Sequence, residues 1–315
     1  MGGKQINKRV LISLIAILIV FGVLIGLILD AEEVSGATNQ SLVTRVNISN
    51  TEPNLYDVSI SPASIDLNPG NTTWVNCTGL IQDYNGWDDI ASVNATLYHI
   101  DYGNGITFDN NYRYQNDSCE SSCVMYGGSA SNASCSCYFQ VEYFAYNGSW
   151  ECNMTVADAF GLSDTLNSSP ATLNTVIGIG IPSEIDYGDM SVTEISPMIT
   201  ANISNLGNLP INISVRGYGG TNELAAGAGN FTMICETNNI SIGYQRYSTN
   251  FSQVFANMIN LTNTTTGIEN LELPIRTDDV QPGNDTNATY WRLEVPVDVS
   301  GVCNGTAHFY ASDAT

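Results

Sequence analysis

Past Lys8 the sequence contains no lysine. Lys4, Lys8 and Arg9 crowd the N-terminus, and the rest of the chain has only Arg45, Arg113, Arg216, Arg246, Arg276 and Arg292. All 31 acidic residues lie beyond residue 29, so six arginines against 31 acids leave that part at −25. Phosphate backbones are held by Lys and Arg, so this deficit excludes nucleic acid as an expected partner. It also repels acidic lipid headgroups. Without lysine, Schiff-base and Ser–Lys chemistry drop out of the same region. Histidine is almost as scarce. His99 and His308 are the only two, and both sit in strand-like runs where sheet packing is the ordinary role. No Gly-x-Ser-x-Gly elbow occurs. Gly178 and Gly180 lie in an apolar run with no helix signal after them, which is not a phosphate loop. Carboxylate pairs of the glycosidase kind turn up anywhere among so many acids and decide nothing. The expectation is a protein that is not an enzyme and has no cofactor apart from the calcium considered below. A secreted hydrolase is the weakest reading.

What is present begins with one apolar stretch. Residues 10–29 hold no charge, and only Ser13, Gly22 and Gly26 dilute the run. At about 1.5 Å per residue such a helix spans a ~30 Å hydrocarbon core. The basic stub 1–9 precedes it, and Asp30, Glu32 and Glu33 follow, so the stub stays cytoplasmic and the remainder lies outside. The run is too long for an ordinary signal core, which favours a single-pass signal anchor over cleavage at Ser35-Gly36-Ala37. A pilin-like helix would continue into the globular part, whereas Gly36, Thr38 and Asn39 break helical pattern early. Residues 30–54 are polar and read as a tether.

Asn-x-Ser/Thr triplets begin at Asn47, Asn71, Asn76, Asn94, Asn116, Asn132, Asn147, Asn153, Asn167, Asn202, Asn212, Asn230, Asn239, Asn250, Asn260, Asn263, Asn284, Asn287 and Asn304. This is well above chance for the Asn, Ser and Thr content, and all follow the apolar stretch. They point to N-glycosylation, against the plainer reading of turn-rich sequence. Eight cysteines, all outside, imply disulfides in an oxidising compartment. Cys119-x3-Cys123 and Cys135-x-Cys137 do not match zinc spacings.

Residues 55–170 alternate apolar and polar side chains in short runs, with turns at 68–71, 83–86 and 102–105. Residues 139–146 read as a strand that turns at Asn147-Gly148 and pairs back through 150–156. Cys119 to Cys137 reads as a hairpin about Gly127-Gly128. A constant sum of paired residue numbers then favours nested bridges, 119–137 and 123–135. In 171–315, strands are expected at 176–181, 199–204, 211–215, 290–295 and 307–310. Residues 205–208 should join two of them as a hairpin. Phe251, Val254, Phe255 and Met258 share a helical face, which suggests a short helix over 251–259. Cys235 and Cys303 remain to staple this part.

Two cysteines 75 residues apart, each inside a strand, with Trp150 two residues before the second, resemble an immunoglobulin-like sandwich. The resemblance implies a Cys77–Cys152 bridge that crosses the core. The strand after Cys77 lacks the family's core Trp, and about 35 residues are inserted between the cysteines. If Cys77, Cys152 and Cys303 point inward, their neighbours Asn76, Asn153 and Asn304 point outward. The phrase 204–210, followed by a β-branched strand, resembles β-sandwich repeats of uncharacterised archaeal surface proteins.

Asp83, Asn85, Asp88 and Asp89 around Gly86 have the look of a calcium loop without the terminal Glu of an EF-hand. In an immunoglobulin-like sandwich the bridged strands run the same way. Asp83 and Asp158 each lie six residues past a bridged cysteine, so Asp158 could join the set. Turn chemistry alone is the competing explanation. The expectation is an all-β protein: two tandem immunoglobulin-like β-sandwich domains, 55–170 and 171–315, after an N-terminal transmembrane helix. It is expected on the cell surface as a glycosylated structural or adhesion protein with a protein or glycan partner. The alternative is a self-assembling subunit of a surface filament or layer.

Overall fold

The computed structural model describes residues 41–105, 108–277 and 284–314. The chain forms two units, 1–49 and 50–315. In the first, residues 41–49 are exposed and without regular structure. The apolar stretch 10–29 and the Ser35-Gly36-Ala37 site lie outside the described residues. Among the described residues no helix is long and apolar enough to cross a membrane, and the only helical turns are short 3-10 segments.

The second unit is built from strands. Its first half holds β1 (Asn54–Ser61), β2 (Ser64–Ile65), β3 (Thr73–Gln82), β4 (Ile90–His99), β5 (Arg113–Asn116), β6 (Val124–Met125), β7 (Asn132–Val141), β8 (Gly148–Asp158), β9 (Ser163–Asn167) and β10 (Ala171–Leu173). Alternation sets their faces. On β3, Val75, Cys77 and Ile81 are buried while Trp74 is exposed. On β8, Trp150, Cys152, Met154 and Val156 are buried. One sheet runs β1-β3-β7-β6, and the other β2-β10-β8-β4-β5 with β9 on β8. Both contribute to one core, and Cys77 on β3 is bridged to Cys152 on β8 across it. Gly79 makes close packing possible, since a Cβ there would sit 2.4 Å from the Met154 sulfur.

The second half holds β11 (Ile179–Gly180), β12 (Ile199–Asn205), β13 (Ile211–Gly219), β14 (Phe231–Thr237), β15 (Asn239–Ser241), β16 (Gln245–Ser248), β17 (Ile259–Asn260), β18 (Thr266–Leu273), β19 (Thr286–Leu293) and β20 (Ser300–Asp313). Its sheets are β11-β12-β19-β16-β17 and β15-β14-β20-β13-β18. They pack on a second core, where Trp291 lies 5.3 Å from Tyr247 and 5.8 Å from Phe309 between ring centroids.

The two halves are joined by buried amides. Asn208 Nδ2 donates to Ala145 O (3.1 Å) and Asn174 O (3.0 Å), while its Oδ1 accepts from Val176 N (2.7 Å). Asn111 Nδ2 donates to Phe144 O (3.0 Å) and Arg276 O (2.8 Å). The Arg276 guanidinium lies 5.3 Å from the Phe144 ring centre.

The four disulfides are Cys77–Cys152, Cys119–Cys137, Cys123–Cys135 and Cys235–Cys303, the expected pairings. The hairpin about Gly127-Gly128 forms, with Val124 opposite Ser134. Three local expectations fail. First, β7 and β8 do not pair: the chain between them changes sheet, and β8 pairs with β4, β9 and β10. Second, β12 and β13 form no hairpin, because residues 206–210 likewise carry the chain from one sheet to the other. Third, residues 251–259 make one 3-10 turn, Phe255–Asn257, and then enter β17. Only Phe255 and Met258 of the supposed apolar face are buried. Cys303 bridges Cys235 on the adjacent strand of its own sheet, and both half-buried cysteines pack against a small core of Ile240, Leu293, Val295 and Val299, with Asn304 exposed beside them.

Candidate functional site

One pole of the first half gathers the acids expected there. Cys77 and Cys152 are bridged, and the strands continue the same way, so Asp83 and Asp158 leave their sheets at the same end. Asp89 ends a 3-10 turn, Trp87–Asp89, that follows Gly86, whose φ of 135° is a glycine conformation. One carboxylate oxygen from each of Asp83, Asp89 and Asp158 lies within 4.8 Å of the other two. Asp83 is 1 % and Asp158 3 % exposed.

Asp83 Oδ1 accepts from Asn85 N at 2.8 Å. Burial raises the Asp83 carboxyl above its ordinary range, helped by repulsion from Asp89 and Asp158 and opposed by backbone donors at Asn85 and Gly86. Asp158 goes the other way. Burial pushes it up, but hydrogen bonds from Asn50 and from Leu162, Phe160 and Gly161 N–H outweigh that and hold it low. Its Oδ1 accepts from Phe160 N and Leu162 N, both at 2.9 Å, and its Oδ2 from Asn50 Nδ2 at 2.6 Å. Three oxygens remain buried without a donor: Asp83 Oδ2, Asp89 Oδ2 and Asn50 Oδ1. A depression open to solvent is lined by Asn50, Asn85, Asp88, Asp89 and Phe160.

Asn85 and Asp88, expected in the same set, are exposed. Asn85 Oδ1 accepts from Thr51 N at 2.7 Å, and Asp88 stands at the rim. Asn50 is the residue that sequence reading missed. It comes 33 positions before Asp83, in what reads as tether, and no local pattern marks it.

The triplet asparagines occupy a different class of position. None of the 19 named above is buried. Among the described residues the three buried asparagines, Asn111, Asn205 and Asn208, all lie outside triplets. A further triplet, Asn39-Gln40-Ser41, starts outside the described residues. His99 is buried with its ring 5.7 Å from that of Trp150, and its Nε2 is 3.1 Å from Asn147 O. His308 stacks on Tyr310 at 4.4 Å in the other half.

No protein-family model matches the chain, and no curated protein matches it. Among solved structures it is similar to the chaperone–tip adhesion subunit pre-assembly complex of archaic chaperone-usher Csu pili of Acinetobacter baumannii. The TM-score is 0.39 at 9% identity, covering 81% of this chain and 99% of that one. A chaperone–tip adhesin complex of CFA/I fimbriae biogenesis gives 0.28 at 10% identity, with 83% and 86% covered. BcpA, the major pilin subunit of Bacillus cereus, gives 0.22 at 9% identity, with 84% and 62% covered. All three scores fall below the range that marks a shared fold.

Proposed function

We propose that this chain works outside the cell as a glycosylated structural or adhesion protein of the cell envelope. In this reading residues 10–29 hold it in the membrane, and residues beyond them face outward toward a protein or glycan partner. The observation that carries it is the sorting of asparagines. Every named triplet Asn is at least partly accessible to a glycan, and the buried Asn residues are those no glycosyltransferase would recognise. Four disulfides fit the same compartment. Protease shaving of intact cells tests it: peptides from 50–315 should be released, and deleting the chain should lower attachment of the cells to surfaces or to one another. Peptides released only after lysis, with attachment unchanged, would overturn it.

A second reading, a subunit of a surface filament or layer, is favoured by β6. It is the edge of its sheet, and both its side chains, Val124 and Met125, are exposed, so a strand from another copy can add there. Electron microscopy of the purified full chain separates the two, since only the second reading gives filaments or a lattice.

A further inference from the structure

The pole described above is short of donors. Asp83 Oδ2, Asp89 Oδ2 and Asn50 Oδ1 are all acceptors, and none has a hydrogen-bond partner. Asp83 is almost wholly buried, and the charges acting on it, Asp89 and Asp158, repel it. A buried ionised carboxylate with a free lone pair and only like-charged neighbours is strongly unfavourable unless a cation completes it. The 4.8 Å limit on the separation of the three carboxylate oxygens fits one ion. Oxygens bound to calcium at 2.3–2.6 Å lie no more than about twice that distance apart.

The geometry points to a single Ca2+ bound by Asp83, Asp89, Asp158 and Asn50 Oδ1. The donor set is oxygen only, which selects a hard cation over zinc or copper. Carboxylates mixed with a side-chain amide, on a side open to solvent, suit the loose six-to-eight-fold shell of calcium better than the strict octahedron of Mg2+. The ion would join three stretches distant in sequence: the residue that opens the second unit, the 83–89 loop, and the end of β8. Asn50 Nδ2 is committed to Asp158, which holds the amide at this pole and leaves its buried Oδ1 without a donor. The ion would thus fix where the chain enters the folded unit. This inference stands apart from the surface reading, since it uses only residues within 50–315.

The test uses the purified full chain, stripped with EDTA, dialysed, and titrated with CaCl2 by calorimetry while melting is followed in parallel. One Ca2+ per chain is expected, with Tm several degrees higher in millimolar CaCl2 than in EDTA and a smaller rise in MgCl2. Asp83→Asn combined with Asp89→Asn should weaken binding at least about tenfold, since affinity follows ligand charge. Glu272→Gln, at an exposed carboxylate on β18 in the other half, should leave it unchanged. Asn50→Asp gives an effect of opposite sign: lower Tm than the parent in EDTA, and a wider gap between EDTA and calcium. Should the double variant fail to fold, the parent titration and Asn50→Asp still decide. No calcium heat and equal Tm in EDTA and CaCl2 would overturn the proposal. So would a gap that Asn50→Asp leaves unchanged.

Discussion

Asn208 and Asn212 are four residues apart and do opposite work. Asn208 is fully buried and makes three side-chain hydrogen bonds, one to Ala145 of the first half and two to Asn174 and Val176 in the segment that links the halves. Asn212 is an exposed triplet residue on β13. Asn208→Ala should therefore cost about 3 kcal/mol in urea unfolding, roughly 1 per buried bond lost. Asn212→Ala should change stability by no more than about 0.5 kcal/mol. Equal effects would contradict the assignment. Tyr98 gives a second check at this scale. Burial, together with its hydrogen bond to Glu151 (2.7 Å), raises its hydroxyl to about 12 from an ordinary 10. The folded state therefore keeps this proton where the unfolded chain loses it. The stability from Tyr98 is complete below pH 10 and is lost as pH rises toward about 12. Tyr98→Phe should flatten alkaline unfolding in that window, as followed by circular dichroism. At this scale Asp83 and Asp158 were legible because equal offsets from two bridged cysteines place them at one height. Asn50 was not, because its contact with Asp158 spans 108 residues and leaves no local trace.

For the elements, alternation told which stretches were strands and which side chains faced in, as on β3 and β8. It could not tell which strand pairs with which. An apolar-polar run followed by an Asn-Gly turn looks the same whether the chain folds back or crosses to the facing sheet. The chain crosses between β7 and β8, and again between β12 and β13. Residues 251–259 misled for a related reason. Helical spacing gathered four apolar residues, but Phe251 is 61% and Val254 59% exposed, so no packed face supports a helix. The nested bridges Cys119–Cys137 and Cys123–Cys135, by contrast, follow from arithmetic on paired positions, while Cys77–Cys152 is what the immunoglobulin-like resemblance implies and Cys235–Cys303 is the pair then left over. They also make a quantitative expectation. Cys77–Cys152 closes 75 residues and Cys123–Cys135 closes 12. On loop-closure entropy, replacing the first pair by Ser should cost about 1.5 kcal/mol more than replacing the second. Guanidinium unfolding of the two double variants measures this, and a larger loss from the short loop would contradict it.

Over the whole molecule, composition constrains more than any motif. A net charge of −22 with no lysine past residue 8 makes the folded chain repel itself. In EDTA, Tm should rise as NaCl goes from about 0.01 M to about 0.5 M and the screening length shrinks from ~30 Å to a few Å. A Tm that is flat or falls would mean that the acids are locally compensated. The measurement closest to the central claim is glycopeptide mass spectrometry of the chain taken from its own cells, with thiols alkylated at lysis. Glycans are expected at exposed triplets such as Asn202, Asn212 and Asn287, none at Asn111, Asn205 or Asn208, and all eight cysteines should be unreactive. Bare asparagines throughout and freely alkylated cysteines would contradict it.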